Sequence, residues 1–319
     1  MTHNGIGNIT KIFCVLSSPW YASQTRTIKY EKNNTFIFND KLADSLIEKE
    51  VDLFEAENIS KFNNNIDRVR MIEFKNMKTL LNGYNIISPL NKKAQKLEMT
   101  VFFSMSSENV LKNIEKIIFS NFHTKEVRFC SFALASFAVA RNMLIEKDSF
   151  LLVDIAGEMT DISIIKKDIL ANSISYPLGR NFIVRGVAQK LHTSLMEAKS
   201  YISIYKDGYA VDAIEKKVGP IISTLKNKWL LSFQESLIKI SEDISVPSTI
   251  YITVDQDLKN FFSEIIKHEE FHQYTLSESK FNILFLDTES LHGIASFSSN
   301  VKRDSFLIIG AIYINNFIC

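Results

Sequence analysis

The chain has 319 residues, 46% of them hydrophobic and 23% charged, which is enough apolar material to bury a substantial core in one large domain or two to three smaller ones. Thirty-seven Lys and Arg against thirty-six Asp and Glu leave a formal charge of +1. That balance argues against a basic nucleic-acid surface and against a disordered acidic tail.

The N-terminus, Met1-Thr2-His3-Asn4-Gly5-Ile6-Gly7, has no apolar h-region, and no uninterrupted apolar run reaches the length of a membrane span. The expectation is a soluble, cytoplasmic protein. The first strand signal is Ile12 to Leu16, ended by Ser17-Ser18-Pro19. Residues 24–38 read as two extended pieces around a turn at Lys32-Asn33-Asn34, followed by a helix from Asn39 or Asp40. Strand-like segments at 66–75 and 95–105 flank the Asn82-Gly83 and Ser88-Pro89 turns. A helix capped by Ser106 or Ser107 carries Val110, Leu111, Ile114, Ile117 and Ile118 on one face. A strand at 125–130 and an Ala-rich helix at 131–145 come next. From Ser149 onward the rhythm is strand (150–153), strand (162–165), a Lys166-Lys167-Asp168 turn, strand (169–176) and a helix after Pro177-Leu178-Gly179. Ser194 opens another helix, and 210–241 reads as a long one bent or broken at Pro220. Strand 249–254, helix 256–268, strand 281–286 and helix 305–316 complete the series.

The most informative stretch is Asp154-Ile155-Ala156-Gly157-Glu158-Met159-Thr160-Asp161. An acidic residue ends a buried strand, Gly lies in the turn, and Thr-Asp opens the returning strand. Such a hairpin can offer backbone N–H groups and a hydroxyl to an anion while its carboxylates hold a hydrated Mg²⁺. The same residues also suit an ordinary turn.

The run from Phe150 to Ala188 resembles the second phosphate loop and following helix of the FtsA/PilM branch of actin-like ATPases, where an apolar strand, D-I-G-G-G-T-T-D, two strands and P-V-G-G precede a helix. Ser131 to Ala140 is similar to that family's connecting helix, and Ser305 to Ile314 to its second one. The resemblance implies an α/β, actin-like (ribonuclease H-like) two-lobed fold with an inserted small α+β subdomain and an incomplete first lobe. The implied layout is a first-lobe remnant at 1–27, the insert at 28–123, a strand and connecting helix at 124–148, and the second lobe at 149–319. It also implies Asp154, Gly157, Thr160, Asp161 and Gly179 as nucleotide- or phosphate-binding candidates for ATP and Mg²⁺, with no catalytic residue assigned.

The departures are as informative. Ala156, Glu158 and Met159 stand where the family has Gly, Gly and Thr, so a carboxylate occupies the phosphate approach. Val254-Asp255-Gln256-Asp257 replaces a Gly-Gly adenosine loop, and Ala198-Lys199-Ser200-Tyr201-Ile202 replaces the helix that offers Glu and Lys. The first phosphate loop would precede a strand like 11–16, and residues 1–10 are too few for it, so either an N-terminally shortened form or loss of that loop is expected. These features imply weak or absent ATP binding and a cytoplasmic scaffold in cell division or type IV pilus assembly. Its partners would be protein components of either machinery, with self-association, no nucleic acid, and recruitment to the inner face of the cell membrane through those partners.

Two alternatives stay open. One is a competent ATP-dependent switch whose first phosphate loop lies outside this chain. The other is a zinc hydrolase on His268-Glu269-Glu270-Phe271-His272, which matches H-E-x-x-H, with Glu289 as a loose third ligand. Cys14, Cys130 and Cys319 are odd in number and form no C-x-x-C, as for thiols in a reducing compartment. Lys92, Lys93 and Lys96 read as a solvated basic turn.

Overall fold

The computed structural model of the chain describes residues 9–61, 68–143, 147–206, 212–241, 246–267, 281–296 and 304–318. They belong to two compact units, Met1–Leu134 and Ala135–Cys319.

In the first unit β1 (Lys11–Leu16) leads to β2 (Ala22–Phe38), α1 (Asp40–Lys61), β3 (Val69–Leu81), β4 (Tyr84–Asn85) and β5 (Lys92–Ser107). The unit continues with α2 (Glu108–Phe122), β6 (Glu126–Ser131) and the first turn of α3 (Phe132–Met143). β2, β5, β3 and β4 form an antiparallel sheet in that order, and β1 pairs with β6 in parallel. Alternation drives the larger sheet: Met99, Val101, Phe103 and Met105 of β5 turn to one face and meet Leu46 and Phe54 of α1. Asn39 caps α1, its side chain accepting a hydrogen bond from the Leu42 N–H at 2.9 Å.

Three expectations change here. Residues 24–38 are one strand rather than two. Its pairing shifts between Glu31 and Phe36, so the Lys32-Asn33-Asn34 segment is absorbed as a bulge, pinned where Gln95 donates to the Asn33 carbonyl. Ser107 precedes α2 but its side chain does not cap it; the Glu108 N–H donates instead to the Arg68 carbonyl. Ile117 is 63% exposed rather than on the core face, because Leu111 and Ile118 define a narrower stripe. β2 pairs with β5 from Ala22 onward, and the two units part within α3.

The second unit contains β7 (Phe150–Ile155), β8 (Thr160–Lys166), β9 (Ile169–Tyr176), α4 (Arg180–Leu191), α5 (Leu195–Lys206) and α6 (Asp212–Ser241). After these come β10 (Thr249–Val254), a 3₁₀ turn at Gln256–Leu258, α7 (Lys259–Lys267), β11 (Asn282–Phe285) and α8 (Ser305–Tyr313), which ends in a π turn. The sheet order is β11-β10-β7-β8-β9, with β7–β8–β9 antiparallel and β7–β10–β11 parallel. β7 and β10 are buried along their whole length, as their near-continuous apolar runs require for central strands. Lys167 and Asp168 both have positive φ (48° and 61°), the backbone of a two-residue hairpin. Ser194 and Glu197 form a reciprocal capping box on α5.

Of the bend or break expected at Pro220, there is no break: α6 runs as one helix through it. Val218 and Ile222, buried on either side, hold its axis against the sheet. Further along it Trp229 and Phe233 stack at 5.3 Å, and Phe262 of α7 closes on the indole at 5.1 Å.

Candidate functional site

The hairpin between β7 and β8 places Asp154 opposite Asp161, each one residue inside its strand's end at the turn. Both are buried, and Asp154 is only 3% exposed. Ser136 of α3 donates to Asp154 Oδ2 at 3.2 Å. Thr253 of β10 sits opposite in the register and favours the ionised form, without meeting hydrogen-bond geometry to Oδ1. Burial dominates, and the Asp161 carboxylate adds to it, so the Asp154 carboxyl is pushed up from 3.8 to about 7. Around neutral pH this group is therefore partly protonated.

The turn itself is fastened to α4. The Gly179, Arg180 and Asn181 N–H groups donate to the carbonyls of Glu158, Ala156 and Gly157 at 3.0, 3.0 and 2.8 Å. These are donors that a helix N-terminus would otherwise offer to an anion. Gly179 is needed here for space: a Cβ would stand 2.5 Å from the Ala156 carbonyl oxygen and 2.6 Å from that of Gly157. At Gly157 a Cβ would come within 3.1 Å of Asn181 Nδ2.

Glu158 is the residue that most changes the chemistry. Its carboxylate accepts two hydrogen bonds from Arg185, at 2.9 and 2.6 Å, and one from Asn181 at 2.9 Å. The Arg185 guanidinium, then Asn181, hold its carboxyl down at about 2, so it is ionised at any physiological pH. Thr160 faces the opposite way: fully buried, its hydroxyl donates to the Leu178 carbonyl at 2.9 Å and accepts from the Trp229 indole at 3.2 Å. The expected Thr160 hydroxyl aimed at a phosphate is therefore built into the β8–α6 packing.

The structure brings Asp154, Gly157, Thr160, Asp161 and Gly179 to one end of the sheet, as the motif spacing suggests. Close by, a cavity of about 120 Å³ is lined by Arg180, Asn181 and Val184 of α4, Lys199, Ile202 and Ser203 of α5, and Asp257 and Leu258 after β10. Both segments that the resemblance assigns to a nucleoside reach its wall. Small-molecule sites are usually roughly 300–1,000 Å³. Arg180 also forms an ion pair with Asp255.

Sequence reasoning missed Arg185, Asn181, Ser136 and Trp229. Arg185 lies 27 residues after Glu158 and is its partner only because the hairpin folds back on α4. The i,i+4 spacing of Asn181 and Arg185 on one helix was the one local signal of a two-armed clamp. The His268-to-His272 motif lies outside the described residues. Among those described, no group of three or more His, Cys, Asp or Glu could hold a metal, and Glu289 approaches Lys259 at 3.8 Å.

No protein-family model matches the sequence, and no curated protein matches it. Among solved structures, a chain of the PilM–PilN type IV pilus biogenesis complex aligns with a TM-score of 0.59 at 15% identity, over 95% of this chain and 76% of that one. The ethanolamine utilization protein EutJ from Carboxydothermus hydrogenoformans aligns with a TM-score of 0.33 at 15% identity, over 46% of this chain and 47% of its own. MreB 5 of Spiroplasma citri, bound to AMPPNP, gives 0.35 at 14% identity, over 66% and 64%. The first of these likenesses shows the fold alone: the chain has the mixed α/β fold of actin-like ATPases. No described helix is long and apolar enough to cross a membrane.

Proposed function

We propose that the protein is a PilM-like scaffold that works through protein contacts, with nucleotide binding weak or absent. The observation that carries this reading is Glu158, an ionised carboxylate pinned by Arg185 and Asn181 in the turn where the resemblance puts a phosphate. An approaching phosphate would meet an occupied carboxylate–guanidinium pair instead of free donors, and phosphoryl transfer depends on several loops supplying positive charge together. The inward Thr160 hydroxyl and the small cavity support the same conclusion.

The aligned relative is described as a complex of PilM with PilN, a protein partner. By fold, the partner of this chain belongs to pilus or cell-division machinery, and the chain reaches the inner face of the cell membrane with it. Residues 28–123 are the contact module in this reading, and 149–319 the lobe that retains the nucleotide-type hairpin.

Calorimetric titration of the whole chain with Mg-ATP tests it. The expected outcome is no saturable binding below about 1 mM, unchanged in Asp154→Ala. Micromolar binding that disappears in Asp154→Ala, or turnover of roughly 1 per second, would instead establish a working ATP-dependent switch.

A further inference from the structure

At one end of the first unit's four-stranded sheet, the end of β2, the β3–β4 turn and the start of β5 come together. The register fixes this: Ile37 pairs with Lys93 and Phe38 with Lys92, the Asn91 N–H donates to the Phe38 carbonyl, and the Asn82 N–H donates to the Lys96 carbonyl. The turn at Asn82-Gly83 has positive φ at both residues (52° and 84°), and the Asn82 side chain accepts from the Gln95 and Lys96 N–H groups. The end is therefore a built, braced element. Yet it exposes large apolar side chains: Ile87 is 100% exposed, Tyr84 75%, Ile37 51% and Leu90 45%.

We propose that this end dips into the surface of an anionic lipid bilayer. Two observations favour a bilayer over a protein partner. First, the exposed apolar residues come from separate segments, Ile37 from the end of β2, Tyr84 from β4, and Ile87 and Leu90 from the loop before β5, rather than from one strand face. Phe36, Phe38 and Ile86 pack into the core beneath α1, so strand alternation turns Ile37 to the other face, while Ile87 stands out on the loop. A rigid partner covers one face of a protrusion; a fluid interface covers all sides. Second, the charges match. Between Glu73 and Glu98 the sequence has no acidic residue and carries Lys75, Lys78, Lys92, Lys93 and Lys96. Lys96 is paired with Glu31, and Asp40, Lys41 and Asp44 open α1 after Phe38, which leaves Lys92 and Lys93 as the cations next to the apolar residues. A Tyr at the rim, aliphatic side chains at the tip and flanking lysines are the composition of an interfacial anchor. The affinity of so small an anchor is low, suited to holding a scaffold close to a membrane rather than fixing it there.

Co-sedimentation of the whole chain with liposomes tests the proposal, comparing phosphatidylglycerol–phosphatidylcholine vesicles with phosphatidylcholine alone. The expected result is binding to the anionic vesicles that weakens with added salt. Ile87→Asp should reduce it about tenfold, and Lys92→Glu with Lys93→Glu by at least as much. Circular dichroism checks that the variants stay folded, which full exposure of Ile87 favours. Equal partitioning of wild type and variants, or no partitioning at all, overturns the proposal. So does a concentration-dependent dimer that Ile87→Asp abolishes, since the tip would then be covered by a second copy. Failure here leaves the nucleotide titration untouched, because the two experiments read different units.

Discussion

Two turns of this molecule, at 156–159 and at 82–91, make opposite use of their side chains. At 156–159 the turn is drawn inward: its carbonyls accept from the first turn of α4, its glutamate is clamped by Arg185, and the threonine that follows is buried under Trp229. At 82–91 the backbone is equally well braced, but Tyr84, Ile87 and Leu90 face solvent. Groups already satisfied inside a protein have little left to recognise a ligand with, whereas exposed apolar area gains free energy only when something covers it. By this criterion most polar groups of the turn at 156–159 are already engaged, although Asp154 Oδ1 beside it is not, whereas the exposed apolar side chains at 82–91 are not covered by the described residues.

The largest expected effect concerns Asp154. Its carboxyl titrates at about 7 in the folded chain against an ordinary 3.8, so the folded protein keeps a proton that the unfolded chain has lost between those values. Folding takes up a proton there. The stability from this group is full below the unfolded pKa and is lost as pH rises through the folded one, by at most about 4 kcal/mol. Urea denaturation at pH 5 and pH 8 should show wild type less stable at the higher pH. Asp154→Asn should flatten that difference, whereas substitutions at 82–91 should leave it unchanged. A flat wild-type profile would mean that the inner hairpin does not bury its acid as described.

A smaller effect separates the two turn glycines. Gly179→Ala forces a Cβ against the backbone of residues 156–158, atoms that cannot rotate away, and should cost about 3 kcal/mol. Gly83→Ala meets nothing within 4 Å and strains only a positive φ, so about 1 kcal/mol is expected. Equal shifts in the denaturation midpoint would contradict the inward packing of the first turn.

Much of the second unit was legible because β7 and β10 are near-continuous apolar runs and β8 and β9 are bounded by the Lys167-Asp168 turn and Pro177. Ile169–Tyr176 and Thr249–Val254 end where the pattern says they should. Elements whose limits depend on tertiary context were not. The bulge at Lys32-Asn33-Asn34 looks like a turn until β5 is seen to span it, and Pro220 looks like a helix break until its buried neighbours are placed in the core. The candidate site was legible as a location and not as chemistry. Asp154, Gly157 and Gly179 could be picked out by their spacing, but the direction of the Thr160 hydroxyl depends on Trp229, 69 residues away, which no local pattern encodes.

The smallest expected effect tests what holds the inner turn closed. Glu158 is about half exposed, as is Arg185, so the low carboxyl value does not translate into stability at face value. Solvent screening leaves about 0.5–1 kcal/mol for the pair, present above the ordinary glutamate value and lost as pH falls through about 2. A double-mutant cycle of Glu158→Gln and Arg185→Ala at pH 7 should return a coupling of that size. The three backbone hydrogen bonds from 179–181 remain in every corner of the cycle, so amide exchange at those positions should stay slow throughout. Fast exchange in Glu158→Gln would show instead that the ion pair alone shuts the turn. In that case a single substitution opens the helix N-terminus to anions, and the inner hairpin stands closer to the outer one than its geometry implies.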